Sequence, residues 1–519
     1  MADKNYALTK TKITSGLQCY KKLWFDVHQP IKKDKHVFRI GNLFNEIVRK
    51  NYAKGYGKVL DLSDDWTDAV GRTKQAINSD YINVIFEGAF IYLDTLVRTD
   101  VLIREKKGWE LLEAKSSTKL KDEHIPDIAI QSFIVKECMK QLGANLASVK
   151  LIHINKDFTY KGDQNYKDLI NDKTDITSEV FEKEEEVPNY IKDLIPLANK
   201  NSPCPNISMG DHCKKPYSCD YQDRCKSLLP KSNITSYKIL PYISLNKELK
   251  EYCKEKGDID LQKVPTKFLL SGRKDFAHHY HKRIQEAHKK NEPWFSDDLK
   301  NIFKNEKISF PFYFMDFETA TQGVPIIKGT QPYYHLPFQW SVHKWESIDK
   351  EIKPSDGKSF LDFKDQNIER KFVESLLRAV GEYGTIFAHQ ATFEKSVLDK
   401  LKDKDNCKDL ADKIDKLIFR LKDTFVIVKK NFYSPLMNGK YSIKDIIKAI
   451  PNNISYEEKG NIAGGDAAQL AWFIYTNPKT SKKEKEKQKD LLIEYCSKDT
   501  LAVYHLVKYL MENMKDKKN

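Results

Sequence analysis

The sequence lacks the features that place a protein in a membrane or staple it with disulfides. Only nine of its 519 residues are cysteine, and an odd number in so long a chain argues against a disulfide framework. No apolar run approaches the ~18–20 residues that span a bilayer, and residues 1–6 lack the hydrophobic core of a signal peptide. We therefore expect a soluble, cytoplasmic protein with no membrane partner.

The composition is that of a globular, basic protein. Hydrophobic residues make up 40% of the chain and aromatic residues 11%, and the length predicts two or three domains. The net charge of +14 suits a polyanionic partner. Lysines occur throughout, however, including the run 482–489, so charge alone is weak support for nucleic acid.

The most informative stretch is the apolar run 310–319, which contains Asp316 and Glu318. Such a run predicts a buried central strand, and alternation along a strand puts both acids on one face. Two desolvated carboxylates repel each other, and a divalent cation removes that cost. The pattern therefore predicts a metal site that polarises phosphates or activates water. The alternative is a pair of solvated acids at a loop edge.

A second acidic pattern occurs in the first half of the chain. Residues 95–103 read as a strand that contains Asp100, and after a hairpin turn residues 109–115 read as another, with Glu113 and Lys115 on one face. Two carboxylates can hold a metal while the ammonium stabilises charge on a phosphate. Surface alternation of Glu and Lys on a strand is the alternative.

Predicted helices at 40–54 and 127–142 and a strand at 148–155 complete this region. The order of elements resembles the PD-(D/E)XK nuclease superfamily, in particular its RecB-like branch, which includes the CRISPR-associated RecB-like exonucleases. The resemblance implies a restriction-endonuclease-like α/β domain. It also implies a site formed by Glu46, Asp100, Glu113, Lys115 and Gln131, with Glu46, Asp100 and Glu113 as metal ligands. One departure is Asn45, which stands where that branch often has a metal-binding histidine.

Cysteines crowd into the segment 204–225. Cys213, Cys219 and Cys225 are evenly spaced and can surround one thiolate-binding metal centre. The fourth ligand is either the nearby Cys204, which gives a zinc site, or the remote Cys19, which gives an iron–sulfur cluster. The RecB-like resemblance implies the latter, a 4Fe-4S cluster on Cys19, Cys213, Cys219 and Cys225, with zinc as the alternative.

The middle of the chain, 231–306, is predicted to be a helical connector. His278 and His281 could meet on one helix face, but no carboxylate lies at a matching spacing. We therefore expect a basic helix near substrate rather than a metal site.

The second half alternates strands and helices. Near its end Tyr495 and Asp499 are four residues apart on an amphipathic helix, so they share one face. The predicted elements are strands 335–345, 385–388 and 425–428 and helices 366–381 and 491–511.

This half resembles the DEDD exonucleases of the DnaQ-like, RNase H-type superfamily, and specifically their tyrosine-type subgroup. The matching residues are Asp316, Glu318, Glu394, Tyr495 and Asp499. The resemblance implies that Asp316, Glu318 and Asp499 hold two Mg²⁺ or Mn²⁺ ions and that Tyr495 positions or deprotonates the attacking water. Glu394 is a departure, because the group has Asp there.

Other segments also carry the resemblance. Asp423 matches an acid–threonine pair at a strand end and is given a supporting role. The segments 332–334, 336–340 and 439–444 resemble an uncharacterised bacterial family that joins both modules, so the likeness runs from about residue 11 to 509.

The sequence thus predicts a metal-dependent nuclease with two sites and a nucleic-acid partner, DNA favoured over RNA. Its predicted domains are 1–230, 231–306 and 307–519. The alternatives are a nucleic-acid-binding protein with one or both sites inactive, or an RNA-processing exonuclease. Candidate residues for stacking on single strands are Tyr333, Tyr334 and Trp340.

Overall fold

The chain was described from a computed structural model. It covers residues 6–31, 39–54, 56–171, 173–229, 234–271, 278–304, 308–456 and 465–514, without the side chains of 39–42, 278–279 and 465–467. Two compact units are present: Met1–Pro230 with Gln322–Tyr334, and Lys231–Thr321 with His335–Asn519. Both mix helices and strands, which confirms the α/β class. In the described ranges no helix combines the length and apolar character needed to span a bilayer.

The first unit is built on a mixed seven-stranded sheet. Its strands are β1 (Leu8–Thr9), β2 (Lys58–Asp61), β3 (Ile82–Tyr92), β4 (Thr95–Glu105), β5 (Gly108–Lys115), β6 (Leu146–His153) and β7 (Thr174–Asp175). The order is β2-β3-β4-β5-β6-β7, with β1 alongside β4. The strands β3, β4 and β5 form an antiparallel meander, and β6 is parallel to β5.

Helices cover both faces of this sheet. They are α1 (Lys10–Gln18), α2 (Tyr20–His28), α3 (Arg39–Tyr52), α4 (Ala69–Ile77), α5 (His124–Gln141), α6 (Thr177–Glu184), α7 (Val187–Ala198) and α8 (Gln222–Ser227). Residues of α1, α4, α5 and α7 fill one core, and Phe44 and Val48 of α3 fill another. Because both faces are covered, β5 is buried along most of its length, and its acids lie within the protein.

The second unit contains a five-stranded sheet in the order β11-β10-β9-β12-β13 and a separate two-stranded pair, β8 and β14. Its strands are β8 (Trp294–Phe295), β9 (Phe312–Thr321), β10 (His335–Trp345), β11 (Lys358–Leu361), β12 (Thr385–Ala388), β13 (Leu421–Asp423) and β14 (Phe432–Tyr433). The strands β9, β10 and β11 are antiparallel, whereas β12 and β13 run parallel to β9.

Eleven helices are described in this unit. They are α9 (Lys247–Lys256), α10 (Thr266–Leu269), α11 (His278–Lys290), α12 (Leu299–Phe303), α13 (Ile368–Val380), α14 (Thr392–Lys402), α15 (Ala411–Phe419), α16 (Thr424–Asn431), α17 (Ile443–Ile447), α18 (Gly465–Thr476) and α19 (Lys482–Glu512). The stretch 231–306, predicted as a connector, is part of this unit, since its helices share a core with α16, α17 and α19.

One predicted element is wrong. The run Phe425–Val428 was expected to be a strand but lies within helix α16. The Asp423 carboxylate accepts a hydrogen bond from the Phe425 backbone N–H (2.8 Å) and so caps the helix. A run of four apolar residues fits either structure, and the cap decides between them.

The long helix α19 is fixed to the sheet by a buried polar contact. The Thr500 hydroxyl lies 3.2 Å from the Ser341 hydroxyl and 2.8 Å from Nδ1 of His343, both on β10. This contact fixes the rotation of α19, and therefore the direction of Asp499 on the same turn.

We predict that Gly439→Ala destabilises the protein by roughly 2–4 kcal/mol. Gly439 has φ of +75°, and a Cβ there would lie 1.7 Å from the Ile239 carbonyl oxygen, so both backbone strain and a steric clash result. Urea unfolding followed by circular dichroism measures the change.

Gly143→Ala is the matched control, because Gly143 has φ of +70° with nothing within 4 Å of the added Cβ. It should cost only about 1 kcal/mol. Equal losses in the two variants would contradict the proposed clash.

Candidate active sites

Three carboxylates converge in the second unit. Asp316 and Glu318 share one face of β9, as alternation predicts, and Asp499 reaches them from α19. One oxygen from each lies within 4.8 Å of the others. In the part of the chain that the structure describes, this is the one group of three Asp, Glu, His or Cys side chains so arranged. The spacing suits a shared cation.

Electrostatics make this cluster costly without a cation. Burial, and next the charge of Asp499, raises the pKa of Asp316 to about 8. Burial and then the Asp316 carboxylate raise the pKa of Glu318 well above its usual value. Burial also raises the pKa of Asp499. The three groups cannot all be charged at neutral pH unless a positive charge joins them.

Glu394, in the first turn of α14, adds a fourth carboxylate. It is buried, and its Oε2 has no hydrogen-bond partner among the described residues. Burial raises its pKa first, and the nearby Asp316 raises it further. A buried oxygen without a partner, beside three other carboxylates, fits a hard divalent cation such as Mg²⁺ or Mn²⁺. Glu394 lies beside this cluster and not within it, since in the described part of the chain only Asp316, Glu318 and Asp499 have oxygens within 4.8 Å of one another.

Two tyrosines lie close to Asp499. The Tyr456 hydroxyl donates a hydrogen bond to its Oδ1 (2.7 Å), and the Tyr495 phenol lies near enough for the charge of Asp499 to act on it. Burial, followed by the charge of Asp499, raises the pKa of both phenols, so both are protonated at neutral pH. Tyr495 is therefore suited to donate a hydrogen bond and position a water rather than to act as a base.

An open pocket adjoins these acids. It is lined by Asp316, Phe317, Glu318, Thr319, Thr321, His335, His389, Gln390, Phe393, Glu394 and Gln469. Asp423 lies behind it, where its carboxylate accepts hydrogen bonds from the backbone N–H groups of Gln390 and Phe425. Its supporting role is thus to hold the loop that precedes Glu394.

Sequence reasoning missed three neighbours of this site: Lys444, Tyr456 and Cys496. The Cys496 thiol donates to Asp316 Oδ2 (3.3 Å) and belongs to the site rather than to the core alone. Cys496 follows Tyr495 directly, and Lys444 is the last residue of the segment 439–444, which carries the family resemblance. Both therefore lie in or beside a motif that could have indicated them as site residues. No sequence motif indicated Tyr456, because it is remote in sequence from Asp499.

Most of the predicted site residues of the first unit also lie close together, around Glu113. Glu113 on β5 is buried, and its Oε1 accepts hydrogen bonds from the ammonium groups of Lys115 and Lys10 (2.8 Å each). Gln131 on α5 donates to its other oxygen, at 2.7 Å. Burial opposes the ionisation of Glu113, but the two ammonium groups outweigh it and hold its pKa well below the usual range.

Asp100 lies on β4 beside Glu113. Burial, and next the Glu113 charge, raises the pKa of Asp100 to about 7. Its Oδ2 accepts a hydrogen bond from the Ala114 N–H (2.7 Å), and Asn45 Nδ2 lies 3.4 Å from Oδ1. Glu46 is exposed, and no described contact joins it to Asp100 or Glu113. The residue that faces this site from α3 is therefore Asn45, which offers an amide instead of a carboxylate.

Lys10 and Asp127 were not predicted as site residues. Asp127, in the first turn of α5, accepts from Lys115 (2.6 Å), and its Oδ2 lies 3.4 Å from the Lys10 ammonium. Asp127 precedes Gln131 by one helical turn, a spacing that could have indicated it. Lys10 lies in a part of the sequence that carries no motif, so only the fold reveals it.

The four cysteines assigned to a cluster line one pocket. Cys19, Cys213, Cys219 and Cys225 all contribute to its wall, together with Phe25 and Tyr221, whose rings stack with centroids 5.0 Å apart. Cys204 is exposed and does not line it.

Four thiols that line one pocket suit a thiolate-bound metal centre, either zinc or an iron–sulfur cluster. Among the described residues, no three of these sulfur atoms lie within 4.8 Å of one another.

Two other predicted residues have structural roles. His281 is buried, and its Nε2 bonds the Pro241 carbonyl oxygen (2.7 Å), while the His278 side chain lies outside the described residues. Trp340 was predicted to hold nucleic acid, but it is buried on β10 and its indole N–H donates to Ser375 (3.1 Å). Tyr333 is exposed and Tyr334 is partly buried.

We predict that stability without divalent cations falls as pH rises from 5 to 8. The acids of the second unit have raised pKa values in the folded state, so the folded protein retains protons that the unfolded chain releases. This contribution is complete below about pH 4 and is lost towards pH 8. Thermal unfolding in EDTA measures it, and Mn²⁺ should restore the melting temperature at pH 8.

Asp316→Asn should flatten this dependence and remove the response to Mn²⁺. Asp412→Asn, on the exposed face of α15, serves as the control. An unchanged pH slope in Asp316→Asn would contradict the electrostatic account.

Comparison with known protein families gives a match for one part of the chain. A family described as a domain of unknown function (DUF2779) matches residues 313–442. No curated protein and no solved structure matches the chain significantly. The matched region includes Asp316, Glu318 and Glu394 and ends before Asp499.

Proposed function

We propose that the chain is a metal-dependent nuclease that hydrolyses phosphodiester bonds of nucleic acid. The observation that carries the proposal is the convergence of Asp316, Glu318 and Asp499, with ligand atoms within 4.8 Å, next to the partnerless Oε2 of Glu394. Stability alone gives no reason to bury four carboxylates together. Nuclease chemistry does, because a phosphodiester needs strong positive charge at the reacting oxygens.

Each residue has a role in this chemistry. Asp316, Glu318 and Asp499 would hold Mg²⁺ or Mn²⁺, which polarises the phosphate and lowers the pKa of a bound water. The protonated Tyr495 hydroxyl positions that water, and Tyr456 fixes the Asp499 carboxylate through its 2.7 Å hydrogen bond. Glu394 adds a further carboxylate to the lining of the pocket.

The topology of each unit supports the same reading. Three antiparallel strands followed by two parallel ones, with acids on the central strand, agree with an RNase H-like exonuclease domain in the second unit. The antiparallel meander, the helix α5 and the parallel strand β6 agree with a RecB-like PD-(D/E)XK domain in the first. DNA is the favoured substrate, with single-stranded ends as its expected form.

A second candidate function follows from the first unit, in which the site binds nucleic acid but does not cleave it. Asn45 replaces a metal ligand, and Lys10, Lys115 and Gln131 already bind both oxygens of Glu113. Two lysines in one pocket still suit a phosphate. The protein would then have one catalytic site and one binding site.

The cysteine pocket supports an iron–sulfur cluster, most simply 4Fe-4S. Cys19, Cys213, Cys219 and Cys225 would hold it, because these four cysteines line one pocket, whereas Cys204, the fourth ligand in the zinc alternative, does not line it. Cys19 ends α1 and the other three follow α7, so a cluster would join two distant parts of the first unit. Its expected role is structural.

We predict that Asp499→Asn lowers metal-dependent cleavage by at least about 100-fold, because one ligand of the cation is lost. The measurement is a time course with end-labelled single- and double-stranded DNA and RNA in Mn²⁺. Lys115→Met tests the first site in the same assay, and Asp412→Asn is the surface control.

Loss of activity in both Asp499→Asn and Lys115→Met supports two catalytic sites. Loss only in Asp499→Asn, with weaker nucleic-acid binding in Lys115→Met, supports the second candidate function. Undiminished cleavage in the double variant, in a preparation free of contaminating nuclease, would refute the proposal.

We predict that protein purified anaerobically contains iron and acid-labile sulfide and absorbs visible light. Cys219→Ser should lose both iron and absorbance, since it removes one of four thiolate ligands. Cys204→Ser, at the exposed cysteine, is the matched control and should retain them. Stoichiometric zinc without iron would overturn the assignment.

A further inference from the structure

A lysine is held beside the carboxylates of the second unit by a short helix. Lys444 is the second residue of α17, which begins at the Ser442 cap, where the Asp445 N–H donates to Ser442 Oγ (3.2 Å). Ile446 and Ile447 anchor the helix in the core that also contains buried residues of α19. Because its apolar face is fixed inwards, the direction of Lys444 is also fixed.

The ammonium lies against Tyr456, which binds Asp499, and against Tyr495, which lies one helical turn before Asp499. Its Nζ is 4.8 Å from the ring centroid of Tyr495 and 5.4 Å from that of Tyr456. Contacts of this kind hold a cation in place without using its N–H donors. Among the described residues, no carboxylate forms an ion pair with Lys444.

The charge of Lys444 acts on the cluster itself. It lowers the pKa of Glu318 and of Asp499, against the stronger effect of burial on each. None of the residues that line the pocket is a lysine or arginine. A phosphodiester that enters this pocket meets the carboxylates of Asp316, Glu318 and Glu394. These charges repel it, and the positive charge of Lys444 offsets the repulsion.

We propose that Lys444 is a substrate-positioning residue that binds a phosphate oxygen of the nucleic acid at the second site. The inference rests on the proposed nuclease function and extends it to the recognition of the substrate backbone. Lysine serves here as a point charge, so it should act on any sequence alike and carry no base specificity.

The test uses two measurements that should move in opposite directions. In a Lys115→Met background, which removes the first site, Lys444→Met should raise KM for a single-stranded substrate by about tenfold or more, through loss of a charge-assisted hydrogen bond. The same variant should bind Mn²⁺ about three- to tenfold more tightly, because a repelling positive charge is removed. Calorimetric titration of Mn²⁺ without substrate measures the second effect.

Two further variants sharpen the comparison. Lys444→Arg keeps the charge and should retain both the KM and the Mn²⁺ affinity within about threefold. Lys416→Met removes a charge from the exposed side of α15 and should change neither. A purely structural role for Lys444 predicts weaker Mn²⁺ binding together with weaker activity.

The outcomes separate this inference from the proposed function. Unchanged KM in Lys444→Met, in protein whose Asp499-dependent cleavage is intact, overturns the role of Lys444, as does weakened Mn²⁺ binding. Absence of Asp499-dependent cleavage in the Lys115→Met parent overturns the nuclease proposal instead. Raised KM with tightened Mn²⁺ binding supports Lys444 as the phosphate-binding residue.

Discussion

Repulsion among buried carboxylates is the constraint on which the second unit depends. Asp316 and Glu318 lie on the central strand, and Asp499 is brought against them by a helix held through the contacts of Thr500 with β10. Hydrophobic packing along α19 offsets the free-energy cost of this repulsion, since Leu506 and Val507 are fully buried. The fold therefore stabilises a charge distribution that it does not neutralise itself, and that imbalance is what would give the proposed metal site its affinity for cations.

The first unit resolves the same problem in a different way. Glu113 is as buried as Glu394, yet Lys10 and Lys115 contact it directly and hold its pKa below the usual range. Asp100 receives a backbone N–H and the Asn45 amide but no direct ammonium contact, and its pKa remains raised. Asp127 also contacts both lysines, so three carboxylates face two ammonium groups, and the site is close to neutral while Asp100 is protonated. It is better suited to an incoming phosphate than to several metal ions, which is why binding without cleavage is a serious alternative there.

Local periodicity in the sequence predicted the parts of these sites that lie on one element. Alternation placed Asp316 with Glu318, and helical spacing placed Tyr495 with Asp499. Partners from remote segments, such as Lys10 and Tyr456, were invisible because no local pattern links them to an acid. The failure at Phe425–Val428 has the same origin, since the Asp423 cap is a contact with one side chain and not a periodicity. The strands β10 and β12 were predicted with their observed bounds because their hydrophobic runs are sharply delimited.

Charge balance argues that substrate and cations occupy the second site together. The four carboxylates carry four negative charges when ionised, and Lys444 offsets one. Two divalent cations, the number used by many phosphodiester-cleaving enzymes, would leave a surplus of one positive charge, and one phosphodiester removes it. With both cations bound and no substrate, the pocket would carry excess positive charge and attract a nucleic-acid backbone. Without cations its acids retain protons at neutral pH, as their raised pKa values require, and that attraction is lost. Substrate affinity and metal occupancy should therefore be thermodynamically linked, with Lys444 lowering metal affinity while it raises affinity for the phosphate.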